Sequence, residues 1–347
     1  MPLLHRTSFL LALLPGLTSL MSLHAADLRI GIIGTDSSHA EQFTLRLNDT
    51  ANPNHVPGAR VVSAFPSGSK DLPMSQDRIE GFTATLRDKL GVRIVGSIQE
   101  AVDSVDAIML LSLDGRPHLS ELQTVASLKK PVFLDKPVAA SLKDVVEVYK
   151  VAEESGTPIF SASSVRWYPG VVEVAAAQAG TTSGAMSYGP AHALEHHPDL
   201  FFYGIHPTEA LFTVLGAGCV SVVCSKAEAM SVATGTWSDG KLGTLVAIHQ
   251  GAQDYKVVRF GSEKIVEQRN TGDYTPLIRE IVSFFKSGTP PVSAAQTIEI
   301  YAFMEAANES QRRGGRPVTL RDVLEKAGCP AKWMPPGSEN VTKSDKR

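Results

Sequence analysis

The first half of the chain alternates short apolar runs with helix-length amphipathic segments, and this constrains the fold more than any other feature. Leu28-Arg29-Ile30-Gly31-Ile32-Ile33 ends at Gly34 and reads as a buried strand. A helix is expected from about His39 to Asn48, a strand at Arg60–Phe65, and a helix from Gln76 to Leu90 with Gly91 as its stop. Buried strands follow at Val105–Leu111 and Pro131–Leu134. Ser141 with Asp144 three residues on opens a helix to Glu154, Gly156 ends it, and Pro158–Ser161 is a fifth strand. Strands alternating with helices of this length imply βαβ units, hence a doubly wound parallel sheet with helices on both faces. Beyond residue 163 the pattern changes. Strand-like runs near 184–189, 219–226, 229–237, 242–249, 255–260 and 264–268 predict a mostly antiparallel open sheet. Helices at about 207–215, 276–287 and 294–313 make this half α+β, and the residues after Ala331 read as a loosely ordered tail.

A chain of 347 residues exceeds what one hydrophobic core usually serves, so two domains are expected. With 43% hydrophobic and 20% charged residues it is no disordered chain, collagen or coiled coil. Lys and Arg number 33 against 36 Asp and Glu, for a net charge of −3, without the clustered basic excess of a nucleic-acid binder. Cys219, Cys224 and Cys329 have neither disulfide-framework nor metal-ligand spacing and read as small buried residues. His5 and Arg6 precede a Leu-rich run from Thr7 to Ala26 that is broken at Pro15-Gly16 and passes Leu23-His24-Ala25, a small-residue cleavage pattern. Residues 1–25 therefore read as a secretory signal peptide, and the mature protein is expected to be exported, periplasmic or secreted. No other apolar run is long enough to cross a bilayer, so no stable membrane insertion is expected once the leader is removed.

The chemistry concentrates where strands end. The first turn reads Gly34-Thr35-Asp36-Ser37-Ser38-His39, where a dinucleotide fingerprint wants glycine at 34, 36 and 39. Only Gly34 matches; Asp36 brings a Cβ and a negative charge to the place where a pyrophosphate approaches. Asp36, Ser37 and Ser38 read equally well as helix caps. The second strand ends Ala64-Phe65-Pro66, without an acid for a ribose, and Ser67-Gly68-Ser69-Lys70 could accept a phosphate, favouring NADP or another anion. The loop Ser112-Leu113-Asp114-Gly115-Arg116-Pro117-His118 lies at the carboxyl edge of the sheet, where open α/β sheets bind ligands, although Asp114 and Arg116 could simply pair. Asp135-Lys136-Pro137 puts a lysine at the same edge, suited to steering a proton or holding an oxyanion. His206, just before Pro207, is placed to take a hydroxyl proton, with a buried structural histidine as the other reading. Arg166 and Tyr168 follow the fifth strand and could hold a substrate hydroxyl or carboxylate, or pack a domain junction. His192, His196, His197 and Asp199 lack the spacing of a standard zinc site, and no metal is expected.

Ile30-Gly31-Ile32-Ile33-Gly34, Pro117-His118, Phe133-Leu134-Asp135-Lys136-Pro137-Val138-Ala139 and Gly204-Ile205-His206 together resemble the Gfo/Idh/MocA oxidoreductase family over about 27–315. The resemblance implies an N-terminal Rossmann-like dinucleotide-binding domain at 27–162, an α+β substrate and oligomerisation domain at 163–315, and a tail at 316–347. It implies NAD or NADP as hydride carrier, a small sugar or polyol-like substrate, and a homo-oligomer. Lys136 corresponds to the family's site lysine, which polarises the substrate oxygen and orients the cofactor, and His206 to its acid/base histidine. Gly34, Thr35, Asp36, Ser37, Ser38, His39, Ser112, Asp114, Arg116, His118, Asp135 and Lys136 would contact the dinucleotide; Arg166, Tyr168 and Tyr203 the substrate. Two departures stand out: the degraded glycine fingerprint, and Phe202 where the family commonly has Asp four residues before the histidine. Three readings stay open: a hydride-transferring oxidoreductase, a glycoside-cleaving enzyme using NAD transiently, and a non-catalytic sugar- or nucleotide-binding relative that has lost its cofactor.

Overall fold

The computed structural model describes residues 26–337, so the expected leader at 1–25 lies outside the described residues, as do residues 338–347. The first half runs β1 (Leu28–Ile33), α1 (Ser38–Asn48), β2 (Ala59–Phe65), α2 (Pro73–Asp88), β3 (Arg93–Ile94), α3 (Ile98–Val102), β4 (Ala107–Leu110), α4 (His118–Val125), β5 (Val132–Leu134), α5 (Leu142–Ser155) and β6 (Ile159–Phe160). The strands form one parallel sheet in the order β3-β2-β1-β4-β5-β6, reversing at β1/β4 as a doubly wound sheet does. Ile30, Ile32 and Ile33 are fully buried, which explains a strand without polar alternation. Gly31 is required because a Cβ there would lie 2.3 Å from the Ala101 carbonyl oxygen of α3. Ser37, Ser97 and Ser141 cap their helices by accepting from a backbone N–H in the first turn.

The second half runs α6 (Pro169–Ala176), β7 (Thr182–Pro190), α7 (Ile205–Leu215), β8 (Cys219–Lys226), β9 (Met230–Trp237), β10 (Leu242–Ile248), β11 (Lys256–Gly261), β12 (Ile265–Glu267), α8 (Thr275–Ser287), α9 (Ala294–Arg312), β13 (Val318–Thr319) and α10 (Leu320–Lys326). Its sheet has the order β12-β11-β7-β10-β9-β8-β13 and is antiparallel except at β7–β10. One face carries α7 and α9, where Phe212, Trp237 and Phe303 pack with ring centroids 5.3–6.4 Å apart. Along the other face Val223, Leu242 and Phe260 are exposed.

Two expected boundaries are corrected. Helix α8 does not pack with the second sheet: Leu277, Ile278, Ile281 and Phe284 complete a core with Ile30, Phe43, Phe133 and Phe160 of the first domain. Its apolar stripe is visible in the sequence, but the surface it covers is set by a contact more than a hundred residues away. The expected tail begins with packed structure, since Val318, Leu320, Val323, Leu324 and Trp333 are buried against α9 and β8. All three cysteines are free and buried.

Candidate functional site

The carboxyl edge of the first sheet faces α7 of the second domain. Asp135 and Lys136 leave β5 there, and the Lys136–Pro137 peptide is cis. Asp135 is buried; its Oδ2 lies 2.6 Å from His39 Nδ1 and its Oδ1 accepts the Lys136 N–H at 2.8 Å. Burial works to raise this carboxyl, but His39 and Lys136 hold it below the usual range. Burial lowers the Lys136 ammonium, with Asp135 opposing. Lys136 Nζ lies 5.2 Å from the Tyr203 ring centroid and 5.5 Å from that of Phe202.

His206, the second residue of α7, also packs on Tyr203, with ring centroids 5.3 Å apart, and on Tyr255 at 5.7 Å. Its Nδ1 lies 2.6 Å from Ser163 Oγ. Burial, and then the charges of Lys136 and His39, keep its pKa well below that of free imidazole, so the ring is neutral. One turn on, Glu209 accepts from Arg166 Nε at 2.6 Å and from Ser163 N at 3.4 Å. Burial raises the Glu209 carboxyl in spite of Arg166. One guanidinium nitrogen of Arg166, Nη2, is buried without a partner among the described residues. Tyr168, Tyr203, Tyr255 and Tyr274 converge here: burial raises the Tyr255 hydroxyl, and the other three phenols raise it further. Tyr274 is pushed up to about 12, mainly by burial.

The structure thus unites Lys136, His206, Asp135, His39, Arg166, Tyr168 and Tyr203 in one cluster of side chains. Ser163, Tyr255 and Tyr274 were missed. Ser163 follows β6 at the same edge, a signal that was available; Tyr255 and Tyr274 sit in connections with no sequence cue.

Toward β1 and β4 the edge differs. Gly34 has φ +89°, and a Cβ there would lie 2.4 Å from Ser112 N, so the fingerprint's first glycine is sterically required. Ser37 alone caps α1, accepting from His39 N at 3.0 Å, and Ser38 is exposed. The Asp36 carboxyl does not cap; it accepts from Leu113 N at 3.0 Å and Ser75 Oγ at 2.6 Å, and burial raises it. Thr35 Oγ1 lies 2.7 Å from Thr83 Oγ1, and Ser112 Oγ donates to Glu121 at 2.7 Å. Asp114 and Arg116 do pair, at 2.8 Å, but Asp114 is buried and also accepts from Ser69 Oγ at 2.5 Å. Within the 67–70 loop the Ser69 hydroxyl is therefore spent on a carboxylate. His118 lies under the Pro137 turn, its Nδ1 3.0 Å from the Pro137 carbonyl oxygen, and so holds that turn and does not line the crevice. Leu72, Leu113, Leu194 and Phe202 pack together over this stretch, and Gly115 N donates to His197 Nε2 at 3.2 Å.

The fit to a dinucleotide is split. The Gly34 turn, the α1 N-terminus and the Lys136 end suit one, because Asp36 spends its charge internally. Between them the chain's own side chains from the 192–202 segment fill the crevice. Outside this cover lies a cleft of about 480 Å³ bounded by Leu72, Met74, Arg78, Leu194 and Glu195.

Residues 28–163 match the model of the family described as GFO_IDH_MocA, "Oxidoreductase family, NAD-binding Rossmann fold". No curated protein matches the chain. Among solved structures, myo-inositol 2-dehydrogenase from Lactobacillus plantarum is 17% identical with a TM-score of 0.69, covering 85% of this chain and 99% of its own. Myo-inositol dehydrogenase from Lactobacillus casei, in complex with NAD(H) and myo-inositol, is 16% identical with a TM-score of 0.67, covering 85% and 97%. An oxidoreductase from Agrobacterium radiobacter, in complex with NAD+, L-tartaric acid and magnesium, is 15% identical with a TM-score of 0.67, covering 86% and 100%. At these identities the likeness is one of fold.

Proposed function

We infer that this chain, whose residues 28–163 match the model described as "Oxidoreductase family, NAD-binding Rossmann fold", is a Gfo/Idh/MocA-type oxidoreductase that oxidises or reduces a carbinol carbon of a sugar or polyol-like small molecule. One observation carries the reading: Lys136 from the first domain and His206 from the second pack on the same Tyr203 ring. Two nitrogens brought together from separate domains suit one substrate oxygen, one exchanging its proton and the other holding a hydrogen bond. When bound, NAD supplies the hydride acceptor or donor. The Gly34–Ser38 turn would hold its phosphates, and Lys136 would orient its reactive ring. Tyr168, Tyr203, Tyr255 and Tyr274 offer ring faces and hydroxyls to a hydroxyl-rich ligand, and Arg166 offers an unspent N–H. The Lactobacillus casei relative with bound myo-inositol supports a polyol class. For the dinucleotide to lie along the edge, the Leu194–Phe202 cover must draw back. The open face of the second sheet is proposed to mediate self-association.

The filled crevice favours a second reading, a polyol-binding protein that no longer takes the cofactor. A thermal-shift series with NAD, NADH, NADP and NADPH separates the two, since a ligand bound only by the folded state raises the midpoint. A rise with NAD or NADH supports the oxidoreductase. No response to any nicotinamide, with a response to polyols, leaves the binding protein.

A further inference from the structure

We propose that Ser163 is a positioning residue that fixes His206 in its Nε2–H tautomer, so that the imidazole meets the substrate oxygen as a hydrogen-bond donor and not as a base. Ser163 is buried, and its backbone is pinned at both ends: its N–H donates to Glu209 Oε1 at 3.4 Å, and its carbonyl accepts from Arg166 N at 3.2 Å. Its Oγ accepts the Val165 N–H at 3.1 Å and lies 2.6 Å from His206 Nδ1. If Nδ1 carried the ring proton, Oγ would accept twice and its own hydrogen would be buried with no acceptor, for Oγ has no further partner among the described residues. If instead the hydroxyl donates to Nδ1, Ser163 Oγ and His206 Nδ1 are both satisfied. The ring proton then sits on Nε2, which has no partner among the described residues.

The surroundings agree. Phe202 stands one turn before His206, so no carboxylate from that position holds the ring. The charges of Lys136 and His39 oppose an imidazolium, while Glu209 is engaged by Arg166 and Ser163 and makes no bond to the ring. Tyr203 and Tyr255 present ring contacts to it. A neutral Nε2–H donor stabilises a carbonyl or a developing alkoxide without giving up its proton. The proton exchanged with the carbinol then falls to Lys136.

The catalytic weight of this assignment rests on the oxidoreductase reading, but the tautomer can be read without cofactor or substrate. The test is side-chain 15N NMR of the full chain labelled with 15N-histidine, with His206→Gln identifying the resonances. The expected result is a protonated Nε2 and a bare, hydrogen-bonded Nδ1 across pH 6 to 8. Ser163→Ala should move the Nδ1 resonance, with a measurable Nδ1–H fraction appearing, and Ser163→Thr should restore the original pattern. A protonated Nδ1 in the unsubstituted protein overturns the proposal, as does a Ser163→Ala spectrum identical to it. If Ser163→Ala does not fold, the unsubstituted protein and Ser163→Thr still decide. NADH binding to the same samples reports separately: the expected tautomer without nicotinamide binding sinks the redox reading and leaves the role of Ser163 intact.

Discussion

Glu121 and Glu299 are buried carboxyls, each raised to about 7 by burial, with Ser112 partly offsetting this for Glu121 and the Cys219 and Gly218 amides for Glu299. Glu121 stands beside Asp36 and Asp114, which raise it further. A folded-state pKa above the unfolded value means the protonated form is favoured in the fold. That contribution is complete below about pH 4.5 and is lost as pH rises through about 7. Relative to Glu121→Gln, the unsubstituted protein should therefore lose about 2–3 kcal/mol of unfolding free energy between pH 5 and pH 8. Urea denaturation of the two at both pH values measures this, and parallel behaviour would refute the buried-acid account. At this scale the sequence showed Lys136 and His206 because a proline beside each marks a turn or helix start at a defined place. It did not show His39 bonding Asp135, because that pairing spans two strands of a sheet whose order is not written locally.

Helix α7 carries His206 and Glu209 on a segment buried nearly all round, and it starts at Ile205, two residues before the expected position. Pro207 is tolerated because the first four N–H groups of a helix have no intrahelical partner. Phe212 anchors the far end against Trp237 and Phe303. Phe212→Ala should cost roughly 3–5 kcal/mol, from lost transfer energy and the cavity left between α7, α9 and the sheet. A guanidinium midpoint unchanged within error would show that α7 is held from elsewhere. Elements with strong caps were legible to within a residue or two: α5 begins after Ser141 and ends at Gly156, which has φ +70°. The short α3 and α6, and α4 behind a proline, were not, since five to eight residues hold too little periodicity to stand out.

At the scale of the whole molecule, the second sheet has one face that no helix among the described residues covers. Val232 and Val246 pair across β9–β10, Thr234 and Thr244 beside them, and Val223, Leu242 and Phe260 are exposed on the same sheet. A surface of this kind, poor in charge and rich in β-branched residues, suits a self-complementary interface. Sedimentation velocity should give a dimer or larger assembly, and Val223→Lys with Val246→Lys should yield monomer. A monomeric unsubstituted protein at tens of micromolar sinks the proposed interface. The sequence by itself determined the parallel sheet, the change to an antiparallel half and the strand ends that carry Lys136 and Arg166, because periodicity and capping act over one element's length. Only the tertiary structure decided that α8 returns to the first domain, that Asp36 is bonded away inside, that the 192–202 segment fills the crevice, and that Ser163 meets His206. Those outcomes depend on which distant surfaces bury each other, and that choice is made by the summed packing of the chain and by no single stretch of it.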